Sequence, residues 1–309
     1  MLIESKRTGA QCVTVTLNEL LQIKPWAQQL TLFPQKAKSQ RAGLHLSRLL
    51  GKGMEFAESR NYQAGDDVRA IDWRITARTG KAHTKLFHEE KERQVILAVD
   101  MRSAMFFATQ GVFKSVQAAL IASCIGWKAT TCGNRLGAII FNESQTFDFS
   151  PQLGKKSLLA FLKKLSHCQP ICNSLPRSDN SPLKIENMLL KIEQMNRPGS
   201  LIFLISDFRS FSSQNEKKIQ QLAKQSMVYL CFLHDPFEAN LPSNFGFSIT
   251  DNVEEIRVDP AQETGFKKYH ELFVKRESQL KNLAKNQRIA LFKLSTKDNF
   301  YTSLMHYFR

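Results

Sequence analysis

The runs VILAVD (residues 95–100) and LIFLIS (Leu201–Ser206), the second followed at once by Asp207, decide the fold. Each is too uniformly apolar for a strand with one face in water, and too short for a core helix. Both read as strands buried on two faces, the habit of a parallel sheet covered by helices on either side, and each ends in an acid. Between and beyond them the sequence alternates in the same way. Helical spacing over residues 111–131 stops at Cys132-Gly133-Asn134 and is followed by a strand over 136–142. Residues 144–150 alternate as an edge strand does, 155–167 return to helical spacing, and a polar, Pro-containing loop covers 169–182. Leu183–Met195 is a helix and Arg197-Pro198-Gly199 a turn. Helices at 213–225 and 264–286 alternate with strands at Met227–His234 and Ile289–Ser295, before a final short helix. The fold class is therefore α/β, with a mostly parallel, Rossmann-like sheet flanked by helices. Residues 1–93 lack the alternation and read as an irregular N-terminal extension ahead of a domain at 94–309, although Leu17, Leu20, Leu21 and Leu30 suggest helical turns around Pro25.

The chain of 309 residues, 42% of them hydrophobic, is long enough to bury a full core. Its formal charge of +15 predicts attraction to something anionic without saying what. Basic pairs such as Lys155-Lys156, Lys163-Lys164, Lys217-Lys218 and Lys267-Lys268 are scattered, as on solvated helix faces, and form no stripe. No apolar run approaches the roughly 18–20 residues needed to span a bilayer. The longest candidate, residues 118–127, is broken by Ser123 and reads as a buried helix. Six dispersed cysteines without secretory features predict reduced thiols and a cytoplasmic location. His167-Cys168 with Cys172 has too few ligands for a structural zinc site.

In an open parallel sheet, ligands bind outside the carboxyl ends of the strands, so Asp100 and Asp207 are the first candidates for chemistry. Two converging carboxylates with nearby hydroxyls would suit Mg2+; each acid could equally cap the helix that follows it. The arrangement resembles the von Willebrand A domain, whose metal-ion-dependent adhesion site opens with Asp-x-Ser-x-Ser after the first strand. Here the loop is Asp100-Met101-Arg102-Ser103-Ala104, so Arg102 and Ala104 stand where the resemblance implies serines, and Ser103 is out of register. The Thr of the resembled site corresponds to Ser181, and Ser206-Asp207 to its later Ser-Asp. A fixed positive charge and a lost hydroxyl predict a degenerate site, with no cofactor and Mg2+ disfavoured. Either Arg102 acts as a tethered cation on Asp100 or Asp207, or it points to solvent. Restoring serine at 102 and 104 is then expected to restore metal binding.

A second constellation lies between residues 51 and 100. Glu55-Phe56, Arg60, Tyr62, Gly65-Asp66-Asp67, Arg69, Ile71-Asp72-Trp73 and Ala77-Arg78 occur in the order that marks the bacterial domain of unknown function 58 family, which this chain resembles over about residues 40–240. The resemblance implies a von Willebrand A-like domain, a MoxR-type AAA+ ATPase as partner and a protein client, in a chaperone-like system. Read physically, acids and arginines around Phe56, Tyr62 and Trp73 suggest an Arg–carboxylate network, with Gly65 permitting a tight turn. Two readings stay open: a docking surface, or a scaffold clamping the extension onto the sheet.

No enzyme signature is found: Gly51-Lys52-Gly53 lacks the spacing of a phosphate-binding loop, and GxSxG and HExxH are absent. His83 and His88 suit an exposed strand or hinge better than acid–base chemistry. The leading expectation is a non-enzymatic interaction module. The alternatives are electrostatic nucleic-acid binding, which lacks a recognition motif, and a metal-dependent hydrolase, which needs the ligands that Arg102 and Ala104 replace.

Overall fold

A computed structural model describes residues 9–32, 54–63, 65–89, 92–143, 145–168, 183–209, 211–239, 247–250, 255–258 and 263–308. In chain order the elements are α1 (Leu17–Gln22), α2 (Lys24–Gln28), β1 (Met54–Asn61), α3 (Trp73–Thr79), β2 (His83–Glu89), β3 (Gln94–Asp100), α4 (Lys114–Thr131), β4 (Arg135–Phe141), β5 (Thr146–Gln152) and α5 (Lys155–His167). There follow α6 (Leu183–Met195), β6 (Leu201–Ser206), α7 (Ser213–Ala223), β7 (Met227–His234), α8 (Pro236–Ala239), β8 (Phe247–Thr250), β9 (Glu255–Val258), α9 (Glu263–Leu283), β10 (Ile289–Ser295) and α10 (Phe300–Tyr307).

The expected α/β architecture is found. A six-stranded sheet has the order β10-β7-β6-β3-β4-β5, parallel except for β5, which pairs antiparallel with β4 at the edge. Every residue of β3 and β6 is buried, which is why their sequences are continuously apolar. Side chains still alternate: Val95, Leu97 and Val99 enter one core with α1, α2, α4, α5 and α10, while Ile96 and Ala98 enter the other with α6, α7 and α9.

The chain divides into two compact units, one of Met1–Pro34 with Arg93–Arg309, the other of Gln35–Glu92. The stretch expected as a single N-terminal extension, residues 1–93, is therefore split. Its first helices belong to the sheet unit because they cover α4, a helix buried nearly all round. Leu20, Leu30 and Leu32 are fully buried there, each worth about 2 kcal/mol of transfer free energy. The carbonyl of Leu20 accepts hydrogen bonds from Ser123 Oγ (2.7 Å) and Trp127 Nε1 (3.1 Å). α1 is opened by a capping box in which Glu19 N donates to Thr16 Oγ1 and Thr16 N to the Glu19 carboxylate. The apolar run at 118–127 thus lies beneath these helices, and no described helix is long and apolar enough to cross a membrane.

In the smaller unit β1 and β2 pair antiparallel, with a register shift between Phe56 and Glu58. Their connection carries a 3-10 turn, Val68–Ala70, and α3, so the family motif has more regular structure than an irregular extension implies. A small antiparallel pair, β8 with β9, was not foreseen in the sequence.

Candidate functional site

β3 leads to β4 on one side, while β6 lies on its other side, so the strand order reverses between β3 and β6. A crevice opens at the carboxyl ends of strands at such a point. Asp100 ends β3 and Asp207 follows β6, and both are fully buried. Asp100 receives Arg102 from two sides: Nε lies 2.9 Å from Oδ1 and Nη2 2.6 Å from Oδ2, while the Arg102 backbone N donates to Oδ1 at 3.0 Å. Ser206 Oγ also donates to Asp100, at 2.5 Å. Arg102 Nη2 is 3.9 Å from Asp207 Oδ1. The guanidinium therefore lies between the two acids and does not face solvent. Burial works against its charge, but Asp100 and then Asp207 and Glu143 raise its pKa above that of a free guanidinium.

Asp207 has a second cation that sequence reasoning missed. Lys114, the first residue of α4, is fully buried, with Nζ 3.1 Å from Asp207 Oδ2 and 2.6 Å from Glu238 Oε1. Arg209 joins the same two acids, with Nε 3.2 Å from Asp207 and Nη2 2.5 Å from Glu238. Arg276 Nη1 donates to the Asp207 carbonyl at 3.1 Å. Burial would raise the Asp207 carboxyl, yet Lys114, Arg209 and Arg102, in that order, hold it far below the usual aspartate range. Asp100, Asp207 and Glu238 thus face Arg102, Lys114 and Arg209, and the crevice is electrically balanced by its own side chains.

Part of this set was visible in the sequence. Asp100-Met101-Arg102 and Asp207-Phe208-Arg209 are the same Asp-x-Arg pattern at the ends of adjacent strands. Lys114 and Glu238 carry no such signal; only the fold brings them within reach. The next acid along the sheet, Asp235, is held by hydroxyls: Thr109 Oγ1 donates at 2.5 Å and Thr296 Oγ1 at 2.7 Å, with Phe237 N at 2.9 Å. Burial would raise its pKa, but these hydrogen bonds lower it overall.

These residues do not fit a divalent cation. Mg2+ needs oxygen ligands at about 2.1 Å in an octahedral shell. The free lobes of Asp100 and Asp207 are instead turned to a guanidinium and an ammonium, and Ala104 offers no donor. Ser103 N donates to Glu143 at 2.5 Å, and Ser181 lies outside the described residues.

The second constellation separates into inward and outward parts. Glu55 and Phe56 are on β1, with their side chains outside the described set. Arg60 Nη2 pairs with Asp66 Oδ1 at 2.7 Å, Gln63 N and Thr84 Oγ1 donate to the other Asp66 oxygen, and Tyr62 OH donates to the Asp66 carbonyl. The Gln63 N–H and then Arg60 lower the Asp66 pKa. Gly65 has φ +105°, the tight turn expected of it. Asp67 accepts from Arg69 N at 3.0 Å, and Asp72 caps α3 by accepting from Arg74 N and Ile75 N, both at 3.2 Å. Arg69, Trp73, Arg74, Ala77 and Arg78 are exposed. The expected Arg–carboxylate network is, among the described residues, one pair, because the other acids hold backbone N–H groups. The His83 ring nitrogen faces the Lys81 carbonyl, with no acid paired to it among the described residues.

Residues 58–277 match the family described as "Protein of unknown function DUF58". The chain belongs to that family. It is 28% identical over 232 residues to the uncharacterized protein Rv1480 of Mycobacterium tuberculosis and to Mb1516 of Mycobacterium bovis, covering 72% of this chain and 70% of each relative. The solved structure of an uncharacterized membrane spanning protein from Vibrio fischeri is similar at 15% identity and a TM-score of 0.24, over 70% of this chain and 96% of that one.

Proposed function

We propose that this DUF58 chain is a non-enzymatic protein-interaction module of von Willebrand A-like design, which recognises its partner without a bound divalent cation. The observation that carries the reading is Lys114. A buried ammonium on Asp207 and Glu238, with Arg102 on Asp100, occupies the positions where a metal would have to meet the carboxylates. Metal-assisted hydrolysis requires an open cation with a polarised water, and the internal cations leave neither lobe for it. The family resemblance supplies the partner class, a MoxR-type AAA+ ATPase acting with this chain on a protein client. The five described cysteines are free thiols, which favours the reducing cytoplasm.

Two measurements test the reading. Calorimetric titration of Mg2+ or Mn2+ into the full chain is expected to give no micromolar binding, and such binding would overturn metal independence. Affinity purification from the native cell is expected to retain an AAA+ ATPase; a preparation without one defeats the partnership.

A further inference from the structure

The family motif has an inner half that builds the small unit and an outer half that does nothing within it. Arg60, Asp66, Asp67 and Asp72 are used internally, in one ion pair and in hydrogen bonds to backbone N–H groups. Along α3 and the turn before it, Val68, Arg69, Trp73, Arg74, Ala77 and Arg78 all face outward. Trp73 is 70% exposed and Val68 62%, unusual for side chains of their size and apolarity. No carboxylate pairs with Arg69, Arg74 or Arg78 among the described residues. Three arginines without a carboxylate partner are thus exposed within five residues of an uncovered indole, while Asp66 and Asp72 are engaged on the inner side and the exposed Asp67 holds the Arg69 N–H.

We propose that this face of α3 docks an acidic protein surface, with the Trp73 indole entering an apolar recess and the guanidiniums meeting carboxylates around it. The proposal deepens the adaptor reading by giving the partner's chemistry, and does not require that the partner be an ATPase. Helical spacing sets Trp73 beside Ala77 and Arg74 beside Arg78, so the small Ala77 leaves the flank of the indole open while the arginines form the adjoining ridge. Guanidinium forks bind carboxylates in bidentate fashion, and Trp and Arg are the favoured anchors of protein interfaces. The face is also held in place before any partner arrives. Asp72 caps the helix start, Gly80 at φ +70° closes its end, and His83 N donates to Thr76 Oγ1 at 3.1 Å on the inner side. Such pre-ordering reduces the entropic cost of association. A seven-residue helix spans about 10 Å. One indole on so short a patch suits a recess better than a nucleic-acid strand, which needs a run of stacking aromatics along a basic groove.

The test is fluorescence anisotropy with the full chain and three labelled probes: a peptide of glutamates interspersed with Leu and Phe, the same peptide with lysines for glutamates, and a single-stranded oligothymidylate. The acidic peptide is expected to bind at physiological salt and the lysine peptide not to. W73A and R69Q/R74Q/R78Q are each expected to weaken binding by about tenfold or more. K155E/K156E, on an exposed basic pair of α5, should change it by less than about twofold. Circular dichroism is expected to be unchanged in all variants, and W73F serves as a second indole variant should W73A lose structure. The proposal is overturned if the acidic peptide does not bind, if K155E/K156E weakens it as much as W73A, or if oligothymidylate binds more tightly with the same sensitivity to W73A. Loss of the ATPase from the purification described above, with peptide binding intact, would defeat the partnership and leave this face standing; the reverse pattern would do the opposite.

Discussion

Replacing Lys114 by Met keeps most of the length and apolar stem of the side chain but deletes the ammonium 3.1 Å from Asp207 and 2.6 Å from Glu238, at a place without solvent exposure. Removing one partner of a buried pair costs about 3–5 kcal/mol, because the remaining charge has lost both water and counter-ion. Arg209 still touches both acids, and its side chain is 38% exposed, so the orphaned charge is partly relieved. The expected loss is therefore at the lower end, about 3 kcal/mol, or roughly 6–12 °C in Tm for a unit of this size. Urea denaturation followed by circular dichroism measures it. In the wild type the Asp207 pKa is depressed, so its contribution is fully present above the ordinary aspartate value and lost only as the pH falls through the lower folded value. In K114M burial is opposed less, the Asp207 pKa moves upward, and protonation relieves the unpaired charge. The stability gap between the two proteins should therefore be constant at neutral pH and narrow as the pH falls below about 4, where the Asp207 of K114M takes up its proton before that of the wild type. A gap below about 1 kcal/mol at neutral pH, or one that does not change with pH, would refute the assignment of Lys114 as the counter-ion of the crevice.

Further outcomes follow from the same geometry. R102S/A104S restores two hydroxyls yet leaves Lys114 on Asp207, so calorimetry should show no gain in Mg2+ binding until K114M is added; binding by the double variant alone would show that Lys114 is no obstacle. This amends the simpler expectation that two serines suffice. D72A removes the cap of α3 and should cost about 1 kcal/mol, with faster hydrogen exchange at the Arg74 and Ile75 amides; unchanged protection there contradicts the capping role. G111A places a Cβ on the Thr296 carbonyl at a residue with φ +80°. A loss of at least about 2 kcal/mol is expected in thermal unfolding, and a wild-type Tm would mean that the loop relaxes.

The strands of the six-stranded sheet and their order along the chain were legible because β3, β6 and β7 are buried on both faces and advertise it as apolar runs. The helices α5 and α6 repeat apolar residues at helical spacing because each has one wet face. Residues 9–32 were less legible. Their helices are short, with few apolar positions, and it is α4, distant in the chain, that makes those positions core. The smaller unit was opaque for a related reason: its acids bind backbone groups, a use that composition does not distinguish from pairing with arginine.

The site divides along the same line. Spacing alone was enough to say that Asp100 and Asp207 stand at the ends of buried strands and that an arginine follows two residues after each, since these are local facts; that the two strands are neighbours came from the sheet order. What neutralises them depends on contacts that only folding creates. Lys114 is 93 residues from Asp207 and 124 from Glu238, and a charge is balanced by whatever lies within a few ångströms in a medium without water, whatever its distance along the chain.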